Sequence, residues 1–328
     1  MKNLFLYATK ELSQDAFLRW ILENYDCENE EVRAAGRALF DSFTNNEFEG
    51  RNIKRLSTVA QWKKIDVSVW FEIEEDDKLY VIAIEDKTTS EEHNQLEAYN
   101  KALNEKSANC YKIFYKPSKI EEIEIDRVKK SGWRIYDIEK INGLFEDFTD
   151  SSSEILRYYS QHISNLAKAW KNVSLPQRHD TIMDCISWQA FFENTLCVPL
   201  RKKGYDCSTY IYRNMFAGVT ICLQHEKQPY LEIRSEDFFG NDRKELHGKI
   251  RVLLLGYEVD NGKWDSFKKR ARNFNSQNKL KTLKILNYKR QLAVTEYLHH
   301  NNNADEILRI LDLALGEYKK IMENCWNG

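Results

Sequence analysis

IEDKTTSEEHNQLEAY, residues 84–99, is the stretch on which the fold turns. It follows Leu79 to Ile84, a run apolar throughout, as a central strand covered on both faces requires. If that strand runs to its end, Glu85 and Lys87 project from one face and Asp86 from the other. Thr89 and Glu92 make a capping box for a helix from Ser90 to about Glu105. On that helix Gln95 and Tyr99 stand four residues apart and share a face. Alone, the charges would read as a solvated turn and a helix cap.

The preceding segment changes that reading. In Ile65 to Ile73 the alternation puts Ile65, Val67, Val69, Phe71 and Ile73 on one side and Asp66, Ser68, Trp70 and Glu72 on the other. The acidic residues 74–78 suit a hairpin turn. Such a hairpin brings Asp66 beside Glu85. Two carboxylates at a strand edge suit a hard divalent cation such as Mg²⁺, which takes oxygen ligands and keeps several waters. A cation also removes the repulsion that would raise the pKa of one acid. A lysine beside them can hold an attacking water or neutralise charge on a phosphate.

The rest of the first half alternates in the same way. Helical patterns cover Leu12 to Tyr25, with Leu12, Ala16, Phe17, Trp20 and Ile21 on one face, then Glu30 to Phe43, and Ile120 to Lys130. Strand patterns cover Asn52 to Trp62 weakly, Cys110 to Tyr115, and Trp133 to Ile138. This order predicts an α/β fold with a mixed sheet. Residues 149–153 read as a junction. Beyond it lie helical patterns at 154–172, 181–203 and 304–326, and strand patterns at 208–213, 218–224 and 230–234. Tyr230 to Arg234 faintly echoes the apolar-acid-x-base pattern and reads as chance.

Asp66, then Glu85-Asp86-Lys87, then Gln95 to Tyr99 resembles the PD-(D/E)XK nuclease superfamily over roughly the first 145 residues. Asp66 matches its first acid, Glu85 to Lys87 its (D/E)xK, and Gln95 to Tyr99 the QxxxY element of RecB-like nucleases. Ile65 stands where the family often has proline. An ExK alone carries little weight, but here a strand-borne Asp, an apolar strand ending in ExK, a following helix and QxxxY agree. The resemblance implies a restriction-endonuclease-like core with a mixed central sheet flanked by helices, followed by a C-terminal α+β region. It implies that Asp66, Glu85 and the backbone carbonyl of Asp86 bind Mg²⁺ or Mn²⁺, that Lys87 activates water, and that Gln95 orients Lys87 or a phosphate oxygen. An acid on the first helix often joins the metal, with Glu11 as first candidate and Asp15 second. Tyr99 is expected in the core, and the Asp86 side chain is expected to be expendable.

Composition bounds the partners. A net charge of −2 gives no global pull on nucleic acid, so binding must come from a local patch. From Ser266 to Gln291 there is no acid, while Lys268, Lys269, Arg270, Arg272, Lys279 and Lys281 lead nine basic residues interleaved with Phe267, Phe274 and Tyr288. Basic side chains neutralise phosphates and aromatic rings stack on bases. The plainer reading is a solvated basic helix face, or a partner for the acidic 74–78 turn of another subunit. Seven cysteines without a CxxC pair point to reduced thiols. No apolar run approaches the ~20 residues of a membrane helix, and the start lacks a signal-peptide pattern, so the expected location is cytoplasmic.

The sequence therefore predicts a metal-dependent nuclease acting on DNA, with RNA second, serving restriction, repair or anti-phage defence by family analogy. Residues 1–148 would form the nuclease-like domain. Residues 149–328 would form a helical or α+β domain for substrate binding, targeting or oligomerisation, with a homo-oligomer or a protein partner as further expectations. The rival is a non-catalytic nucleic-acid or protein binding module that keeps the fold.

Overall fold

The computed structural model describes residues 3, 5, 11–76, 78–87, 95–105, 109–120, 122–174, 176, 182–212, 216–223, 228–235, 249–257, 259–285, 290–294, 298–299 and 304–326. It divides into two compact units, Met1–Lys168 and Ala169–Gly328.

The first unit opens with helices α1 (Glu11–Glu23) and α2 (Glu30–Phe43). Asn29 caps α2 by accepting from the Val32 N–H, and Glu30 and Glu31 lie in its first turn, where the helix dipole favours acids. Five strands follow: β1 (Ile53–Trp62), β2 (Ile65–Ile73), β3 (Tyr80–Asp86), β4 (Asn109–Tyr115) and β5 (Arg134–Tyr136). They lie side by side in chain order in one sheet. β1, β2 and β3 pair antiparallel, whereas β3, β4 and β5 pair parallel. Parallel neighbours need crossovers, supplied by α3 (Gln95–Asn104) and α4 (Glu122–Lys130). The start expected for α3 at Ser90 lies outside the described residues.

Strand alternation sorts the two faces. Val81 and Ala83 of β3 pack with Leu96, Tyr99 and Leu103 of α3, Val128 of α4 and Phe114 of β4. On the other face Tyr80 meets Phe48 and Phe71, and Phe40 of α2 meets Phe71 edge-on at 4.9 Å. Every residue of β3 is buried, as its apolar run requires. The strand expected at 133–138 is shorter, because Asp137 caps a further helix, α5 (Ile138–Phe145), by accepting from the Lys140 N–H. Leu12, expected on the apolar face of α1, is 69% exposed. The buried face of α1 runs instead through Phe17, Leu18, Ile21 and Leu22, and it carries Gln14 and Asp15 inward. Helix α6 (Glu154–Trp170) places the Tyr159 hydroxyl 2.7 Å from that of Tyr115 in the interior.

In the second unit α7 (Ile182–Phe192) continues through a wider π turn, Glu193–Cys197, into α8 (Val198–Lys202). Strands β6 (Asp206–Tyr212), β7 (Phe216–Cys222), β8 (Tyr230–Arg234) and β9 (Lys249–Leu255) pair antiparallel in sequence order. Short strands β10 (Lys284–Ile285), β11 (Gln291–Val294) and β12 (Leu298–His299) extend the sheet. Helices α9 (Asn261–Asn278) and α10 (Ala304–Cys325) bury Trp264, Phe267, Leu311 and Tyr318 against Val219, Ile221, Leu231 and Ile233. The strand β9 has no counterpart in the sequence reading, and α9 enters it only as the helix face of the plainer reading of the basic run. All seven cysteines lie outside any disulfide.

The β1–β2 connection departs from turn preferences. Trp62 pairs with Ile65, so only Lys63 and Lys64 form the loop. Their φ values are 53° and 73°, the positive values that a two-residue type I′ turn demands and that asparagine and glycine adopt most cheaply. A left-handed backbone costs an ordinary residue about 1–2 kcal/mol. Replacing Lys63 by Asn and Lys64 by Gly is therefore expected to raise unfolding stability by about 1 kcal/mol or more, read from urea midpoints.

His162 of α6 stacks on Phe5 with ring centroids 6.1 Å apart. Burial pushes its pKa from 6.5 down to about 4, so the neutral ring is the folded form. The unfolded chain binds a proton below about pH 6.5, the folded chain only near 4. This contribution is complete above the unfolded value and is lost as pH falls toward the folded one. Between neutral pH and pH 4, unfolding free energy is expected to fall by about 3 kcal/mol more for wild type than for His162→Leu.

Candidate active site

The ends of β2 and β3 assemble the acids. Val67 pairs with Ile84 across the antiparallel ladder, so the next pair outward is Asp66 with Glu85. Opposed residues of such a ladder share a face, and this face continues from Val81 and Ala83 toward α3. The Asp86 backbone N–H donates to Asp66 Oδ2 at 2.9 Å, and Gln61 Nε2 donates to Asp66 Oδ1 at 2.9 Å. Lys87 Nζ lies 2.7 Å from Glu85 Oε1, with Glu85 1% and Lys87 11% exposed at the side chain. Glu85 and Lys87 thus share one face, as the strand period predicts. The Lys87 N–H donates to the Tyr115 carbonyl at 2.9 Å, which extends the parallel β3–β4 ladder to the site.

The electrostatics ask for a cation. Burial raises the Glu85 pKa most, the Asp66 charge adds to this, and the hydrogen bond and charge of Lys87 offset only part, leaving it at about 8. Glu85 Oε2 is buried without a hydrogen-bond partner. A positive ion between Asp66 and Glu85 would satisfy that oxygen and cancel the repulsion. Among the described residues no three His, Cys, Asp or Glu side chains converge closely enough to hold a metal by themselves. The set that the resemblance implies, Asp66, Glu85 and the Asp86 carbonyl, would need water to complete the shell, as Mg²⁺ prefers.

Asp86 behaves differently from expectation. Its side chain does leave the Glu85–Lys87 face, but it enters the interior and is fully buried. Gln14 Nε2 of α1 donates to its Oδ1, while Oδ2 is buried without a hydrogen-bond partner. Burial, then the nearby Asp15 and Asp66 charges, raise its pKa well above the carboxylate range, against the Gln14 hydrogen bond. Its burial against α1 has no counterpart in the sequence reading, which expects the side chain to be expendable. Of the two first-helix acids, the structure brings Asp15 into this cluster, and the Glu11 side chain lies outside the described residues.

The other expected positions separate. Gln95 opens α3 and is exposed, whereas Tyr99 is buried with its ring 6.2 Å from Trp133. In the second unit Lys269, Arg272, Lys279 and Lys281 are exposed. Lys268 pairs with Asp265 at 2.7 Å, and Arg270 Nε donates to the Cys325 carbonyl at 2.7 Å. Phe267 is wholly buried and so is no stacking platform, and half-buried Phe274 packs on the same core. Tyr288 lies outside the described residues. Glu232 of β8 accepts from Tyr210 at 2.6 Å and pairs with Arg234. However, β8 and β9 pair antiparallel where β3 and β4 pair parallel, so this echo of the ExK strand is not a second copy of the site.

Sequence reasoning missed Gln14, Gln61 and Lys116. Lys116 follows β4 and forms a buried ion pair with Glu124 of α4 at 2.7 Å. Gln14 stands in the quoted amphipathic pattern, and its one visible signal was a polar residue on the buried side. Gln61 carried no signal, because the turn that aims it lacks glycine and asparagine.

A family model, the PD-(D/E)XK nuclease superfamily, matches residues 4–176, just over half of the chain. The chain belongs to the PD-(D/E)XK nuclease superfamily. Membership supports a nuclease hydrolase with a nucleic-acid substrate and a divalent metal ion. No curated protein and no solved structure matched the chain. Among the described residues no helix is long and apolar enough to cross a membrane.

Replacing Gln14 by Leu takes the donor from a buried carboxyl. Thermal unfolding is expected to show a loss of about 1–3 kcal/mol, the range for orphaning a buried polar group.

Proposed function

We propose that the chain is a Mg²⁺- or Mn²⁺-dependent phosphodiesterase that cleaves DNA, with RNA as the second substrate. The observation that carries this is the pair of carboxylates, Asp66 and Glu85, side by side at the strand ends with Lys87 Nζ 2.7 Å from Glu85. Asp66, Glu85 and the Asp86 carbonyl hold the ion, which when bound polarises the phosphate and lowers the pKa of water. Lys87 orients the attacking water and offsets charge at the phosphorus. Gln95, at the first turn of α3, holds Lys87 or a phosphate oxygen. Asp66→Ala and Lys87→Ala are each expected to slow plasmid cleavage at least ~100-fold, and EDTA to abolish it. Equal cleavage by all three proteins, or cleavage that survives EDTA, would sink the reading. A parallel RNA substrate decides between the nucleic acids.

Residues 1–148 are assigned the chemistry and 149–328 the grip, targeting or self-association. The exposed Lys269, Arg272, Lys279 and Lys281 support a phosphate contact through counterion release. Reversing these four charges is expected to weaken DNA binding and to flatten its dependence on salt. Metal-independent binding without cleavage would instead favour a binding module on a nuclease fold. By family analogy the setting is cytoplasmic restriction, repair or anti-phage defence.

A further inference from the structure

Gln61 has a φ of 54° although it lies within β1 and carries a side chain. Its neighbours keep the ladder register, with Ala60 opposite Val67 and Trp62 opposite Ile65. The left-handed residue is therefore no inserted bulge. Such backbone is sparsely populated and persists where the surroundings impose it, often at functional sites. Trp62, next in the chain, meets Trp70 edge-on at 5.1 Å and anchors the strand end.

What the conformation accomplishes is visible in the side chain. The carboxamide of Gln61 donates to Asp66 Oδ1 at 2.9 Å, while the Asp86 N–H donates to Oδ2 at 2.9 Å. Two donors from two strands thus fix the plane of one carboxylate. An ionised carboxylate has about four acceptor positions, so each oxygen keeps one for a cation. The carboxamide is uncharged, and it orients Asp66 without neutralising it. Gln61 is exposed, where a hydrogen bond adds little to stability.

We propose that Gln61 is a positioning residue that holds Asp66 in the orientation a divalent cation requires, an inference that rests on the metal-dependent reading above. The test is Mg²⁺ and Mn²⁺ titration by calorimetry, with melting temperatures, for wild type, Gln61→Gly and Gln61→Asn. Glycine removes both the backbone strain and the donor. Asparagine tolerates the left-handed backbone but falls one methylene short of Asp66. Both variants are expected to bind the ions ~10-fold more weakly, as when a group supporting a ligand is lost. Gln61→Gly is expected to melt no lower than wild type. Affinities within about twofold of wild type in both variants would overturn the proposal. So would weaker binding accompanied by a lower melting temperature in Gln61→Gly, because that marks a structural role. A wild type that binds neither ion would overturn the metal-dependent reading and this proposal with it, whereas the first two results leave that reading standing.

Discussion

Three consecutive charged residues, Glu85, Asp86 and Lys87, lie at the end of a central strand, each buried to at least nine-tenths. A buried charge is tolerated only when it is paired, hydrogen-bonded or neutralised. The Glu85 carboxylate and the Lys87 ammonium pair with each other, Asp86 takes a hydrogen bond from Gln14 of α1, and the Lys87 backbone N–H ties the end of β3 to the Tyr115 carbonyl of β4. The three residues thus tie α1 and β4 to the end of β3, and the Asp86 N–H ties Asp66 of β2 to it as well. Two demands are left over, Oε2 of Glu85 and Oδ2 of Asp86, and the one on Glu85, beside the Asp66 charge, is where a cation would be satisfied.

The legible parts of the sequence were those in which one period dominates. Ile65 to Ile73 alternates strictly, and β3 is uniformly apolar, so the hairpin and the meeting of Asp66 with Glu85 could be read directly. Tyr99 went to the core as expected, but Gln95, read onto the same helix face, is exposed at the first turn of α3. Reading failed where tertiary context chose the conformation. Asp137 ends β5 early because its carboxylate caps α5, a competition that a run from Trp133 to Ile138 does not reveal. Leu12 looked like a core residue by spacing, yet the buried face of α1 runs through Phe17, Leu18, Ile21 and Leu22 and carries Gln14 and Asp15 inward with it. The turn at Lys63 and Lys64 has none of the residues that announce such turns.

The second unit shows the limit of local patterns more sharply. The basic run from Lys268 to Lys281 is real, but Phe267 within it belongs to the core, and Arg270 binds the Cys325 carbonyl. An amphipathic helix carries both kinds of residue in one stretch, so composition alone merges a packing face with a solvent face. The Glu232–Arg234 pair makes the same point for strands. An acid and a base two residues apart share a face in any strand, and only the direction of the neighbouring strand distinguishes this sheet from the one that holds Glu85 and Lys87.

The two carboxylates and their helix reach the site by routes of very different length. Asp66 and Glu85 come together through a single local hairpin, whereas Gln14 meets Asp86 across 72 residues of chain. Local contacts form fastest in folding, and distant ones wait on loop closure. The like charges are therefore neighbours while the hairpin is still wet, where water screens them to about 1 kcal/mol. Their repulsion becomes severe only as helices close over the sheet and expel that water. The cost of the two acids therefore falls on burial, the step in which Gln14 of α1 meets Asp86.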